Sequence, residues 1–156
     1  MYSYWEYRAK LFYVYDETLG GKGRNEVASI LLHFINTHLA SNITDLYIFS
    51  DNCSSQNKNY VLTQFFYTLV ESKRFRMIQH RYPEPGHSFL PCDRSFGLIE
   101  IQKRKYDKIY LPREYVNIIK TSSKKFHVVE TTQDMFYNFY EHFKVFFVKN
   151  PSRKNN

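Results

Sequence analysis

Apolar positions along the chain switch between a two-residue and a three-to-four-residue period, and each switch marks an element. Leu11-Phe12-Tyr13-Val14-Tyr15 is a β-prone run, and Tyr2-Ser3-Tyr4-Trp5-Glu6-Tyr7 reads as its hairpin partner. After Asn25, a plausible N-cap, Val27, Ile30, Leu31, Phe34 and Ile35 form one helical stripe. Leu46-Tyr47-Ile48-Phe49 is an apolar run with the length of a buried strand, stopped by Ser50-Asp51-Asn52. A helix over 57–72 buries Val61, Phe65 and Leu69, and Phe75 to Tyr82 is a strand broken by Pro83-Glu84-Pro85-Gly86.

Pro91 suits a first helical turn, and the helix it opens runs to about Lys105. Asp93, Phe96, Gly97, Glu100 and Arg104 share one of its faces, where Gly97 would let a ligand approach the backbone closely. A short helix over 113–120, a strand over 125–130, and a helix capped by Thr131 or Thr132 and running to Phe143 follow. Early strands and then strand–helix alternation define an α/β or mixed α+β fold with a mixed sheet and helices on both faces. The strands at 9–15, 46–50 and 75–82 are expected in one sheet, with the most apolar, 46–50, at its centre.

At 156 residues the chain is about one domain. It divides into a core over 1–110, a small αβα appendage over 111–150 packed on that core, and a polar tail over 151–156. A hydrophobic fraction of 43% makes it globular, and 14 Tyr with 14 Phe favour sheet. The formal charge of +7 fits a polyanionic partner. No apolar run reaches the ~20 residues that span a bilayer. The N-terminus lacks a signal-peptide layout, so a nuclear or cytoplasmic location and no membrane partner are expected.

Two cysteines, Cys53 and Cys92, fit a reducing compartment better than a disulfide scaffold. With His80 and His87 they make a poor zinc set, because the intervals are wrong and the residues span separate elements. The glycines at Gly20, Gly21 and Gly23 are not followed by Lys-Ser or Lys-Thr, which argues against a P-loop.

Asp51 ends a buried strand just before a turn into a helix, where α/β proteins place reacting groups. It can equally make the turn or cap the helix. Asn52 and Gln56 can support Asp51 or bind substrate, or satisfy loop backbone. Arg74, Arg76, Arg81, Arg94, Lys103, Arg104 and Lys105 can follow a phosphate backbone, or form a solvated basic face.

Two segments together carry a resemblance: Phe49-Ser50-Asp51-Asn52-Cys53-Ser54-Ser55-Gln56-Asn57-Lys58-Asn59, and Pro85-Gly86-His87-Ser88-Phe89-Leu90-Pro91-Cys92-Asp93-Arg94 running to Ile99-Glu100. With Asp16-Glu17 through Lys22-Gly23-Arg24-Asn25-Glu26, they resemble a family of transposon-derived animal proteins similar to DDE transposases, which have an RNase H-like catalytic core. The resemblance covers roughly residues 5–145.

It implies metal-dependent phosphodiester cleavage and strand transfer on DNA, with Mg²⁺ or Mn²⁺ held by Asp51 and by Asp93 or Glu100. His87 can orient a carboxylate or the scissile phosphate, or be a turn histidine after Gly86, and Asn52, Gln56, Lys58, Arg94 and Arg104 are expected on nucleic acid. The family's first-strand Asp has no match here, which implies an incomplete and inactive core, with a homo-oligomer or an N-terminal partner segment as candidate partners. A non-catalytic domain that binds nucleic acid or protein is the alternative. Asp16 is not expected to replace the missing acid, because its strand lies two places from the first, ~10 Å away.

Overall fold

The computed structural model describes residues 10–84, 91–109 and 111–147. Its elements run β1 (Lys10–Val14), α1 (Arg24–His38), β2 (Asp45–Phe49), α2 (Tyr60–Glu71), β3 (Met77–Arg81), α3 (Pro91–Lys103), α4 (Pro112–Ser122), β4 (Phe126–Glu130), a 3₁₀ turn (Gln133–Met135) and α5 (Phe139–Phe146). The chain is a mixed α/β protein, as expected. Element positions follow the sequence pattern to within a few residues, except that the last helix begins at Phe139, after a separate 3₁₀ turn. The proposed hairpin partner at Tyr2–Tyr7 lies outside the described residues.

The strand arrangement corrects the single-sheet expectation. The described strands form two separate pairs, β1 with β4 and β2 with β3, and both ladders are parallel. Among the described residues, the 46–50 strand therefore pairs only with β3 and is not central to a larger sheet. β2-α2-β3 is a βαβ unit, in which the crossover helix forces parallel pairing. The partner of β1 comes instead from the far end of the chain, in register Lys10 with Phe126 through Val14 with Glu130.

Each pair has its own core. Leu46 and Ile48 of β2 bury against Leu31 and Ile35 of α1, Val61, Leu62, Phe65 and Phe66 of α2, and Phe143 of α5. Phe12 of β1 and Phe126 of β4 bury against Ile99 of α3 and Ile118 and Ile119 of α4. Polar contacts join the halves: the Tyr13 hydroxyl meets His33 Nδ1 at 3.0 Å, and the Tyr15 hydroxyl donates to the Gly21 carbonyl at 2.8 Å.

Local chemistry explains the helix boundaries. Helix α1 starts one residue before the expected cap. Gly23 is its N-cap, and the Glu26 carboxylate accepts from the Gly23 amide at 3.1 Å and from the Gly21 amide at 3.1 Å. A Cβ on Gly23 would lie 2.9 Å from the Glu26 carboxylate, which would have to shift. Asn25 instead clasps the C-terminal segment, accepting from the Tyr140 amide at 3.0 Å and donating to Asn138 Oδ1 at 3.0 Å. Ser29 is buried beside it and accepts from the Tyr137 amide at 2.9 Å. Asn59 caps α2 by accepting from the Leu62 amide at 3.1 Å.

Arg74 was a candidate phosphate contact. The structure spends it on backbone: its guanidinium donates to the carbonyls of Ile43 at 3.1 Å, Ala40 at 3.2 Å and Leu39 at 3.4 Å, just beyond the C-terminus of α1. A fixed cation there satisfies carbonyls that the helix leaves open. Arg74→Met should therefore lower stability by about 1–2 kcal/mol, measured by urea unfolding, because several carbonyls lose a charged donor.

The strand pairing also makes residues 111–147 part of the structural core. A chain ended after Ile109 keeps β1 but loses β4, and with it α4 and α5. It should show no cooperative thermal transition by circular dichroism, whereas the full chain should show one.

A cavity between the two strand pairs as the candidate functional site

The two halves do not close on each other completely. A cavity of about 530 Å³ lies at their junction. Leu11 through Val14 of β1, and Tyr15 just after it, all contribute to its wall. Successive strand residues point to opposite faces, so a wall made of four consecutive ones runs along the edge of β1. Val27, Ile30, Leu31 and Phe34 of α1 supply further wall, as do Phe96 and Ile99 of α3 and Tyr115 and Ile119 of α4. Its polar groups are Ser50, Asp51, Gln56 and Asn57 after β2, Asp93 at the start of α3, and Glu17 with Lys22 from the glycine-rich turn.

Asp51 and Asp93 both line this cavity, from different elements. Asp51 is held by a turn of its own making: its Oδ1 accepts from the Cys53 amide at 3.2 Å and from Asn57 Nδ2 at 2.6 Å. The Cys53 carbonyl accepts from the amides of Gln56, Asn57 and Lys58, which closes the loop. Asp93 lies in the first turn of α3, where a carboxylate suits the helix dipole. Burial, with the neighbouring Asp93 as a smaller cause, raises the Cys92 thiol above its ordinary pKa, which disfavours the reactive thiolate.

The other candidates fall elsewhere. Glu100 is absent from the cavity wall and pairs with Lys103 at 3.2 Å on the exposed side of α3. Gly97 has open space beside it, with nothing within 4 Å of where a Cβ would stand. Gln56 lines the cavity and donates to the Lys22 carbonyl at 3.4 Å, tying the loop to the glycine-rich turn. Lys58 lies 5.5 Å from the centre of the Tyr82 ring. Asn52, Arg94 and Arg104 are off the cavity wall, and Asn52 and Arg94 are exposed. His87 lies outside the described residues.

Asp16 sits off the cavity wall. Its carboxylate accepts from the Thr18 hydroxyl and from the Thr18 amide at 2.8 Å, bonds that lower its pKa. Its neighbour Glu17 does reach the cavity, paired with Lys22 at 3.1 Å. The glycine-rich turn cradles the Glu26 carboxylate with its amides, the role a phosphate would have in a P-loop.

A polar relay behind Asp51 was not expected from the sequence. The buried Ser50 hydroxyl meets His80 Nε2 at 2.8 Å, His80 Nδ1 meets the Tyr82 hydroxyl at 2.9 Å, and that hydroxyl donates to the Asn57 carbonyl at 3.0 Å. Only the pairing of β2 with β3 brings Ser50 to His80, so the signal is topological. Burial lowers the His80 pKa to about 4 from an ordinary 6.5.

That shift has a stability consequence. Between about pH 6.5 and 4 the unfolded chain binds a proton at His80 that the folded chain refuses, so folded stability falls as pH is lowered through this window. His80→Gln should flatten the decline in melting temperature between pH 6.5 and 4.5. An unchanged slope would refute the buried neutral imidazole.

The fold and cavity define a mixed α/β domain in which Asp51, Asp93 and Glu17 line a cavity between two parallel strand pairs. The chain belongs to a family described as Domain of unknown function (DUF7869), which matches residues 6–153. No curated protein and no solved structure matches it.

Proposed function

We propose that this chain is a transposase-derived, RNase H-like domain that binds DNA and holds two carboxylates of a metal-dependent phosphodiester-cleaving site, without the full set for turnover. The observation that supports this reading is the placement of Asp51 and Asp93 on one cavity, from the end of β2 and the start of α3. These are the positions that the two resembling segments assign to metal ligands. The net charge of +7 suits a polyanion.

The donor chemistry fits one hard cation. Asp51 and Asp93 would supply oxygen ligands to Mg²⁺ or Mn²⁺, with water filling the remaining positions. Such an ion supplies charge neutralisation and a bound water of lowered pKa. The donors do not fit a two-ion clamp: among the described residues, no three His, Cys, Asp or Glu side chains gather as a metal group. No cleavage step is therefore assigned to these residues.

The alternative is a non-catalytic nucleic-acid- or protein-binding domain, to which the Glu100–Lys103 pair at 3.2 Å, outside the cavity wall, is indifferent.

Calorimetry with MnCl₂ should show weak binding that Asp51→Asn abolishes and Asp16→Asn leaves unchanged. Duplex DNA binding should weaken steeply with added salt, and supercoiled plasmid should stay intact in Mg²⁺ or Mn²⁺. Metal-dependent nicking lost in Asp51→Asn would show a complete enzyme instead. Absence of both metal and DNA binding would sink the proposal.

A further inference from the structure

Among the described residues, the deeply buried side chains of the β2–β3 pair lie on one face. Leu46 and Ile48 point into the core, while the alternate residues form the opposite face: Asp45, Tyr47 and Phe49 on β2, in register with Met77, Gln79 and Arg81 on β3. On that face Tyr47 is 53% exposed and Phe49 43% exposed. Two open rings, side by side on that face, are an exposed apolar feature that invites a partner.

We propose that this face is a stacking platform for single-stranded nucleic acid, with Tyr47 and Phe49 each receiving one base and Arg81 contacting the phosphate between or beside them. The proposal rests on the nucleic-acid reading above and names the form of nucleic acid and the surface that takes it.

Three observations favour a nucleic-acid strand over a protein. First, Tyr47 and Phe49 are two residues apart on a strand, so their rings are spaced by roughly 7 Å, a spacing that lets successive splayed bases of an extended strand lie on successive rings. Second, the face has a cation, and its anion is already paired. Arg81 is exposed and sits 5.9 Å from the centre of the Phe49 ring, close enough to meet the phosphate of a base stacked there. The one carboxylate among these six residues, Asp45, is neutralised by Arg76 at 2.6 Å. Third, the chain as a whole carries +7, which draws a polyanion to whichever surface can hold it. Stacking is tolerant of sequence, because every base offers a π-face, so a preference for unpaired over duplex strands is expected with little discrimination among bases.

The platform lies on the opposite side of β2 from the core, whereas Asp51 leaves the end of the same strand toward the cavity. A strand lying on Tyr47 and Phe49 would therefore run toward the turn that carries Asp51.

The test is fluorescence anisotropy with a labelled oligothymidine of roughly 12 nucleotides, a length within the usual single-strand site sizes, and with a duplex of equal length. Wild type should bind the oligothymidine, Tyr47→Ala and Phe49→Ala should each weaken it by roughly tenfold, and Phe49→Tyr should keep it. Duplex binding should change by less than about threefold in all three. Arg81→Gln should reduce the salt dependence of oligothymidine binding.

Because ring removal could disturb the fold, the wild-type protein is also crosslinked to the same oligonucleotide carrying 5-iodouracil. Mass spectrometry should place the adduct on Tyr47 or Phe49. Adducts only elsewhere, or ring variants that bind oligothymidine as wild type does, overturn the platform while leaving duplex binding and the proposed function standing. Wild type binding neither nucleic acid overturns both. A wild-type dimer that Tyr47→Ala dissociates makes the face a protein interface and also overturns the platform.

Discussion

A parallel strand pair cannot stand alone, and the structure is built around meeting that requirement twice. Parallel strands need a crossover connection and covered faces. The β2–β3 pair obtains both locally, because α2 is its crossover and packs on it together with α1 and α5. The β1–β4 pair cannot, since its strands come from opposite ends of the described chain. Its register joins positions far apart along the chain, which makes it a long-range contact that closes the domain. The clasp of Asn25 and Ser29 on residues 137–140 holds the C-terminal segment against α1, and so fixes where β4 can lie. A cavity remains at the junction because the two cores are organised separately.

The same division explains what the sequence could and could not tell. Helix and strand positions were legible because periodicity is local: the Leu46–Phe49 run and the Val27–Ile35 stripe need no knowledge of their partners. Pairing was not legible. Nothing in Phe126–Glu130 announces β1 as its neighbour, and the apolar character of 46–50 suggested a central strand. Only Leu46 and Ile48 are deeply buried, while Tyr47 and Phe49 are aromatic and exposed. An aromatic at an exposed strand position is indistinguishable from a core aromatic by hydropathy alone.

Charges followed the same rule. Asp51 and Asp93 were legible as candidate site residues because each sits at an element boundary, and element ends are visible in sequence. The fates of Arg74 and Arg76 were not, because each is decided by a neighbour supplied by the fold. Arg74 and Arg76 meet the carbonyls after α1 and Asp45 across about thirty positions of chain. The glycine-rich turn shows the principle at short range. Its amides did form an anion cradle, but the anion is Glu26, three residues beyond Gly23. An anion-binding backbone says that a negative group is held, and the sequence window must be searched for an internal one before a ligand is invoked.

Asp51 was open to two readings, a turn-former or a reacting group, and its geometry shows that these are compatible. Both bonds from described residues fall on one oxygen: Oδ1 accepts from Cys53 and Asn57, and Oδ2 accepts from none of them. The turn therefore fixes the carboxylate's orientation while leaving half of its acceptor capacity for the cavity that it lines. A carboxylate held this way has little rotamer freedom left to lose, so the cost of ordering it is met during folding. Behind it, the Ser50–His80–Tyr82 relay ends on the carbonyl of Asn57, the residue whose side chain holds Oδ1. The position of Asp51 is thus tied through Asn57 to β3, and any shift of β3 against β2 would be felt at the carboxylate.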